Sequence, residues 1–581
     1  MARHRQLDAA RRTRIGQVTG LLIVLLITSS RVSAQESGPD TARFAAAQKA
    51  YDDGQWDQAE KLATGPINQP PSFDFLRGLA LARLSQWEGA RQAFEAGHQK
   101  APRDPRFLVE LAGVAYKQQD LSAAKRELHA ALLLNAKDAY SLEFLGTIYF
   151  LQGNLEAALK YWNLAGKPRL NSVAFSPPVR LEETLRDRAI AFNAPQILTR
   201  DALATTEARL DNLGIFANRR VELAPTASGN YDLTLHLAER DGWGESKVSG
   251  LLALFRGLPY ATVYPEFFNL GHGAMNFTSL VRWDDQKRRV FAALSTPLFH
   301  DPGLSFRLHF DARNENWNLS ENLFVAGAPP LTNLNLRRVA GGAELRGVVN
   351  GNWSWSTGLE VSSRSFRNFP GQISGSERSF FTDTTGFASW LRGERVLLNA
   401  PERRFTVNSS ADGRVGRDFA SGLGPSGTLK TSLRANWLPR AQGDDYEVET
   451  QLRAGGTAGK VPLDELFQIG IERDNDLWLR GHAGTTDGRK GAAPLGRRYL
   501  LVNGELDKYI FKGAFFTIKL GPFVDSGAIA DSSGMFGSQK WLWDAGGQCK
   551  VRILGSVTVL LSYGRDLHSG RGVFYATTLP K

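Results

Sequence analysis

From about Glu245 to the end, roughly 335 residues, apolar side chains fall at alternate positions in segments of about ten to fifteen residues separated by Gly, Asn, Asp and Pro. Asn276 to Trp283, Val290 to Leu298, Leu304 to Ala312, Trp353 to Ser362, Thr428 to Trp437, Tyr446 to Ala454 and Val557 to Tyr563 are examples. A period of two puts one set of side chains on each face of a strand, so this texture predicts antiparallel β-structure. At roughly 20 residues per strand and loop the region holds about sixteen strands, an even number as in single-chain bacterial barrels. Past the N-terminal segment no run of about 18 uninterrupted apolar residues occurs, so the mature chain has no transmembrane helix. Entry into a bilayer would require a closed barrel, in which every backbone polar group finds a partner.

The N-terminus supplies a reason to expect that solvent. Arg3, Arg5, Arg11, Arg12 and Arg14 precede an apolar run from Leu21 to Ile27, and Val32-Ser33-Ala34 satisfies the small-residue cleavage rule. Residues 1–34 therefore read as a signal peptide cut after Ala34. Soluble sandwiches alternate too, but the export signal, the lack of domain breaks and the aromatic residues at segment ends favour a transmembrane barrel over 245–581. Cys549 is the only cysteine, which excludes an internal disulfide framework and any Cys-based metal site. The net charge of +11 is spread along the chain, so a nucleic-acid partner is not expected.

A chain of 581 residues predicts several domains. Between residues 41 and 168 the sequence matches itself at a lag of 34 residues: Gly78, Ala112 and Gly146; Ala90, Ala124 and Ala158; Gly97, Ala131 and Ala165. Bulky positions keep the same phase, with Phe94, Leu128 and Trp162 in one column and Ala82, Tyr116 and Phe150 in another. Small residues let two helices approach while large ones fill the groove of the neighbouring unit, so stacked helix-turn-helix pairs share a continuous core. With the degenerate unit around Tyr51 to Ala59 this segment resembles tetratricopeptide repeats, an all-α solenoid whose concave face implies a protein partner.

Pro168, Pro177 and Pro178 end that pattern. Leu203, Leu210 and Leu213 then share one helical face that stops at Gly214, and two alternating segments, Arg219 to Leu223 and Tyr231 to Leu237, follow around Ala227-Ser228-Gly229-Asn230. This is a small α+β domain over 180–243. Leu210-Asp211-Asn212-Leu213-Gly214-Ile215-Phe216 and Leu233 to Glu239 resemble the polypeptide-transport-associated (POTRA) module. The resemblance implies that an extended polypeptide adds to a sheet edge, with Val221 and Leu223, or Leu233 and Leu235, as the edge residues.

Within the alternating region, Leu477-Trp478-Leu479-Arg480-Gly481-His482 follows Phe467-Gln468-Ile469-Gly470 and precedes the strand-like run from Gly496 to Leu506. Further on come Phe523-Val524-Asp525-Ser526-Gly527 and Tyr563-Gly564-Arg565-Asp566-Leu567. Together these resemble the BamA/TamA superfamily, whose barrels are of the bacterial surface-antigen type. That resemblance implies an extracellular loop that folds back into the barrel and docks an arginine on acids of the inner wall. Leu479, Arg480, Gly481 and His482 form the loop motif, with His482 where Phe or Tyr is usual; Asp525 and Glu505 are the expected partners of Arg480; Phe523 and Gly527 complete the strand motif. A guanidinium in a partly dehydrated lumen needs a carboxylate in fork geometry, and Gly481 would let the tip turn sharply. The closing segment Gly572 to Leu579 alternates as a last strand should, although Pro580-Lys581 follows it where an aromatic terminus is usual.

His236, His272, His300, His309 and His568 lie singly, with no HExxH, GxSxG or phosphate-loop pattern. Asp284-Asp285 and Asp474-Asn475-Asp476 could bind a cation in principle, but such clusters are more often solvated loops. No enzyme activity, cofactor or metal is therefore expected. The family resemblance implies an assembly or translocation factor for polypeptides in the bacterial outer membrane, its N-terminal domains in the periplasm and its barrel against lipid and lipopolysaccharide. The competing readings are a tetratricopeptide-containing porin that exports polysaccharide, and a passive porin or adhesin.

Overall fold

The computed structural model describes residues 39–579 apart from 241, 244–253, 255, 258–259, 323–329, 370–374, 421, 441–444, 514, 532–533, 539 and 554–556. The expected signal peptide, residues 1–34, lies outside the described residues. Two compact units divide the chain between Leu134 and Asn135.

The first unit is helical. Pro39–Asp52 with Trp56–Ala63, Pro71–Arg83 with Trp87–Lys100, and Pro105–Lys117 with Leu121–Leu134 form three antiparallel hairpins. Asp104 caps the fifth helix by accepting the Arg106 N–H at 3.0 Å, and Pro105 follows at the first helical position, where no donor is lost. The core is apolar: Leu81, Phe94, Phe107, Leu108, Val114 and Ala131 are buried together. Gly78 shows why the period needs small residues, because a Cβ there would lie 2.4 Å from the ring of Phe94.

The second unit begins with one more hairpin, Ala139–Leu151 and Leu155–Leu164, in which Gly146 meets Trp162 as Gly78 meets Phe94. Thus the repeat expected over 41–168 is divided between two compact units. The reason is local: this hairpin is bolted to later parts of its own unit. Trp162 packs on Tyr231 with ring centroids 5.5 Å apart. Asn154 donates to the carbonyl of Pro401 at 2.7 Å, and Lys160 and the Tyr161 hydroxyl both bind Glu402 in the turn Pro401–Arg403.

A three-stranded sheet comes next, with strands Leu170–Ser176, Phe216–Pro225 and Tyr231–Glu239. Helices Glu183–Ala189 and Arg200–Leu213 lie between the first two. The longer helix starts at the Thr199 cap and ends at Gly214, whose φ of 71° is the left-handed conformation a glycine cap supplies. Leu203, Leu210 and Leu213 are buried on its inner face, as their spacing predicts. The sheet starts at Leu170, ten residues before the expected boundary, because that first strand pairs in parallel with Tyr231–Glu239. Tyr231–Glu239 is therefore central, flanked on its other side by Phe216–Pro225. This corrects the edge assignment of Leu233 and Leu235: both backbone rims of their strand are already paired. Val221 and Leu223 do lie on an edge strand. The helix Arg200–Leu213 also reaches the large sheet, where Asn212 donates to the carbonyl of Pro302 at 2.9 Å and Asn276 donates to that of Leu213 at 2.8 Å.

The remainder is one large antiparallel sheet of eighteen strand elements. Thr262–Val263 and Glu266–Leu270 share one partner, Met275–Trp283, and act as a broken first strand; Thr485–Thr486 and Arg489–Lys490 form a hairpin inside an inserted segment. The other elements are long strands joined in register from Met275–Trp283 to Gly572–Leu579. Every strand segment quoted from the sequence lies inside one of them, and most run longer. The order returns the last strand to the neighbourhood of the first, but no run of paired residues like those between the other strands zips that junction among the described residues.

One face of this sheet is apolar and exposed, and the other is charged and buried. Leu359 and Val361 are 52% and 56% exposed while Glu360 between them is 9% exposed. The alternation continues through Phe387, Leu391, Val415, Leu429, Leu433 and Leu561 on the outside. Among the described residues no helix is long and apolar enough to cross a membrane.

Candidate functional site

Strands Tyr446–Gly459 and Arg498–Lys512 are direct neighbours in the sheet. The chain nonetheless makes an excursion of nearly forty residues between them, residues 460–497, and this excursion folds onto the charged face. It touches strands from one end of the sheet to the other, so the sheet curls around it.

Its acids meet basic residues of the earlier strands. Asp464 pairs with Arg364 at 2.8 Å, Glu465 with the same guanidinium, Glu472 with Lys287 at 3.1 Å and Asp474 with Arg282 at 2.5 Å. Asp474 is thus no solvated loop residue: its side chain is only 7% exposed, and the arginine rather than water satisfies it. Lys490 returns the pattern with opposite sign, pairing with Glu315 at 2.8 Å. Arg473 reaches both ends of the sheet, donating to the Tyr264 hydroxyl and, at 3.2 Å, to that of Thr578.

The motif at the tip, Leu479-Arg480-Gly481-His482, meets the later strands. Arg480 is 1% exposed. Its Nε and Nη2 donate to the two oxygens of Asp525 at 2.8 and 2.6 Å, and its backbone N–H donates to the same carboxylate at 3.0 Å. Nη1 donates to Glu505 at 2.6 Å and to Gln548 at 2.9 Å. Phe523 lies under the guanidinium, 3.7 Å from its carbon to the ring centroid. Both expected acids and the expected aromatic therefore converge on one cation, the arrangement that offsets the desolvation of a buried charge. Leu479 is fully buried with Phe467, Ile469, Leu477, Tyr499, Leu501 and Ile529, which anchors the tip from its N-terminal side. Gly527 stands opposite Leu501 in the strand ladder, and a Cβ there would lie 2.7 Å from the carbonyl of Leu500.

Gly481 is needed for a different reason from the one expected. Its φ is not left-handed; instead, a Cβ would lie 2.6 Å from the Asp566 nitrogen and 2.7 Å from the Asp544 carboxyl carbon. The tip is pressed flat on the wall, and the Gly481 N–H donates to Asp544 at 2.5 Å. Gly564 makes the matching concession from the wall side, 2.3 Å from the Arg480 carbonyl to its virtual Cβ. His482 places Nδ1 3.2 Å from Asp544 and Nε2 3.7 Å from Asp566.

The motifs assign no role to several further members of the site. Asn503 donates to Asp525 at 2.6 Å, and Gln548 and Lys550 bind both Glu505 and Asp507. The signal was present as a period of two: Asn503, Glu505 and Asp507, and again Gln548 and Lys550, are polar residues at alternate positions of their strands. Four of the histidines read as solitary also have side-chain partners: His236 with Glu222 at 3.0 Å, His300 with Glu182 at 3.4 Å, His309 with Glu360 at 3.6 Å and His568 with Lys540 at 3.1 Å.

No family model matches this sequence, and no curated protein matches it. Among solved structures the chain is similar to BamA from Haemophilus ducreyi lacking POTRA domains 1–3, at 13% identity and a TM-score of 0.42 over 71% of this chain and 85% of that one. It is similar to CdiB from Escherichia coli at 12% identity and a TM-score of 0.45, covering 72% of this chain and 75% of that one. CdiB from Acinetobacter baumannii gives 13% and 0.42, with 80% and 87% covered.

Proposed function

We propose that this chain is a non-enzymatic outer-membrane protein of the BamA/TamA type that inserts or translocates polypeptides, with its sheet closed as a transmembrane barrel. The reading rests on one observation above the others: Arg480 is buried on Asp525 and Glu505 inside a sheet whose outside is apolar. Water would penalise that exterior, whereas hydrocarbon welcomes it and leaves the polar side chains to the lumen. The excursion is pinned to earlier strands by its acids and to later strands by Arg480, which suits a gated interior better than a permanently open polysaccharide pore.

The order of the small domain, strand–helix–helix–strand–strand with the last strand central, fits a POTRA module. Its free edge at Val221 and Leu223 offers the backbone rim on which an extended chain would add, in the periplasm. The helical hairpins before it fit tetratricopeptide repeats that hold a protein partner.

Depletion followed by quantitative proteomics and glycan analysis of the cell surface tests the proposal. A fall in particular outer-membrane or secreted proteins, with photo-crosslinks from position 221 to an extended polypeptide, is the expected result. Loss of a surface polysaccharide with the proteome unchanged would replace this reading with an export porin.

A further inference from the structure

Three aspartates stand side by side on successive strands of the inner face: Asp525 faces Asp544, and Asp544 faces Asp566. Like charges directly opposite one another in neighbouring strands repel. Arg480 compensates Asp525. The other two acids face the tip of the inserted segment, where the one ionisable side chain against both is His482. Asp544 is fully buried; its Oδ2 accepts the Gly481 N–H and lies 3.2 Å from His482 Nδ1, while its Oδ1 accepts no hydrogen bond. Asp566 is held by the His568 N–H at 2.8 Å, the Ser569 N–H at 3.2 Å and the Ser569 hydroxyl, the last two on the Oδ2 that faces His482. One atom each from His482, Asp544 and Asp566 lies within 4.8 Å of the others.

We propose that His482, Asp544 and Asp566 form a binding site for one divalent transition-metal ion of the zinc type. The donor set is one imidazole nitrogen and two carboxylates, which suits a borderline cation and leaves a fourth position open. Ligands of one tetrahedral ion at bonds of about 2.1 Å stand roughly 3.4 Å apart; one atom from each of the three groups already lies within 4.8 Å of the others, and because Nδ1 faces Asp544 while Nε2 faces Asp566, binding needs the ring to turn until one nitrogen serves both acids. One ring nitrogen takes the ion and the ring pivots toward the other acid. The ion's two charges match the two carboxylates, which otherwise remain buried with a single imidazole between them. The Gly481 N–H and the 568–569 turn donate to the carboxylates, as outer hydrogen-bond donors fix the ligands of metal sites. A bound ion would tie the tip to strands Leu542–Ile553 and Val557–Asp566 by a bond separate from the Arg480 pair. The site is independent of what the protein transports.

The test uses the full chain in detergent, stripped with chelator and titrated with Co²⁺ and then Zn²⁺. One equivalent of Co²⁺ should bring visible d–d bands that Zn²⁺ abolishes. His482→Phe, which restores the aromatic usual in the resembled family, and Asp566→Asn should each weaken binding at least about tenfold while keeping heat-modifiable migration. X-ray absorption of the zinc-loaded wild type, which depends on no variant, should give nitrogen and oxygen ligands with a single imidazole. Failure of the wild type to take up an equivalent would overturn the proposal in favour of a proton on His482 between the acids. Undiminished binding by His482→Phe, or a spectrum with several imidazoles, would overturn it equally.

Discussion

The helical hairpins of the first unit and the strands of the large sheet are built on opposite plans. In the hairpins Phe94, Phe107 and Leu108 point inward to a core, whereas in the sheet Leu359, Leu391 and Leu429 point outward and Glu360, Arg364, Arg480 and Asp525 are the buried residues. Both arrangements satisfy the same rule, that apolar surface avoids water and buried charge needs a partner. On the proposed reading what differs is the solvent, so a single substitution should have different consequences in the two regions.

The largest expected effect is at the buried charge. Arg480→Ala leaves Asp525 and Glu505 without their cation, a loss of about 3–5 kcal/mol in docking of the tip. Limited proteolysis should then cut within residues 461–496 while the sheet keeps its heat-modifiable migration; an uncut segment would show that the tip does not depend on this pair. Next comes the contrast itself. Leu391→Arg on the outer face should cost about 2–4 kcal/mol in urea titrations in lipid vesicles if it lies near mid-bilayer, whereas Leu133→Arg on the exposed side of a helix should stay within about 0.5 kcal/mol. Equal costs would dissolve the distinction between the two regions.

A smaller effect belongs to helix packing. Gly78→Ala drives a methyl group into the Phe94 ring, 2.4 Å away, and should destabilise that hairpin by about 1–3 kcal/mol. Faster amide exchange in Pro71–Arg83 of the full chain would register it. The smallest effect is a pH dependence of the helical unit. Burial pushes the Glu110 carboxyl up from 4.5 to about 7 against the pull of Arg83. The folded state then holds a proton that the unfolded chain has released, so stability should fall as pH rises through that interval. Glu110→Gln should flatten the slope of denaturation midpoint against pH, and an unchanged slope would assign it to another group.

Fold and site were legible in the sequence to different depths. Strand positions followed from alternation, and the seven segments quoted from the sequence all fall within observed strands. The Arg480, Asp525 and Glu505 set was legible because a short pattern carried it. The roles of Asp544 and Asp566 were not, since nothing local distinguishes an aspartate on the charged face of the sheet from one in a turn. Asp474 was misjudged for the same reason: its partner Arg282 is 192 residues away. Val221 and Leu233 lie on strands of identical texture, and only the parallel pairing of Leu170–Ser176 makes one strand an edge and the other central.

By itself, then, the sequence determined periodicity: a 34-residue repeat that forces hairpins with small contact positions, and a two-residue repeat that forces strands with one apolar face. Those are local consequences of helix and strand geometry. Register, neighbour order and the curl of the sheet came only with tertiary structure, because they depend on which distant segments pair. That pairing set three aspartates in a row and laid Arg480-Gly481-His482 across them.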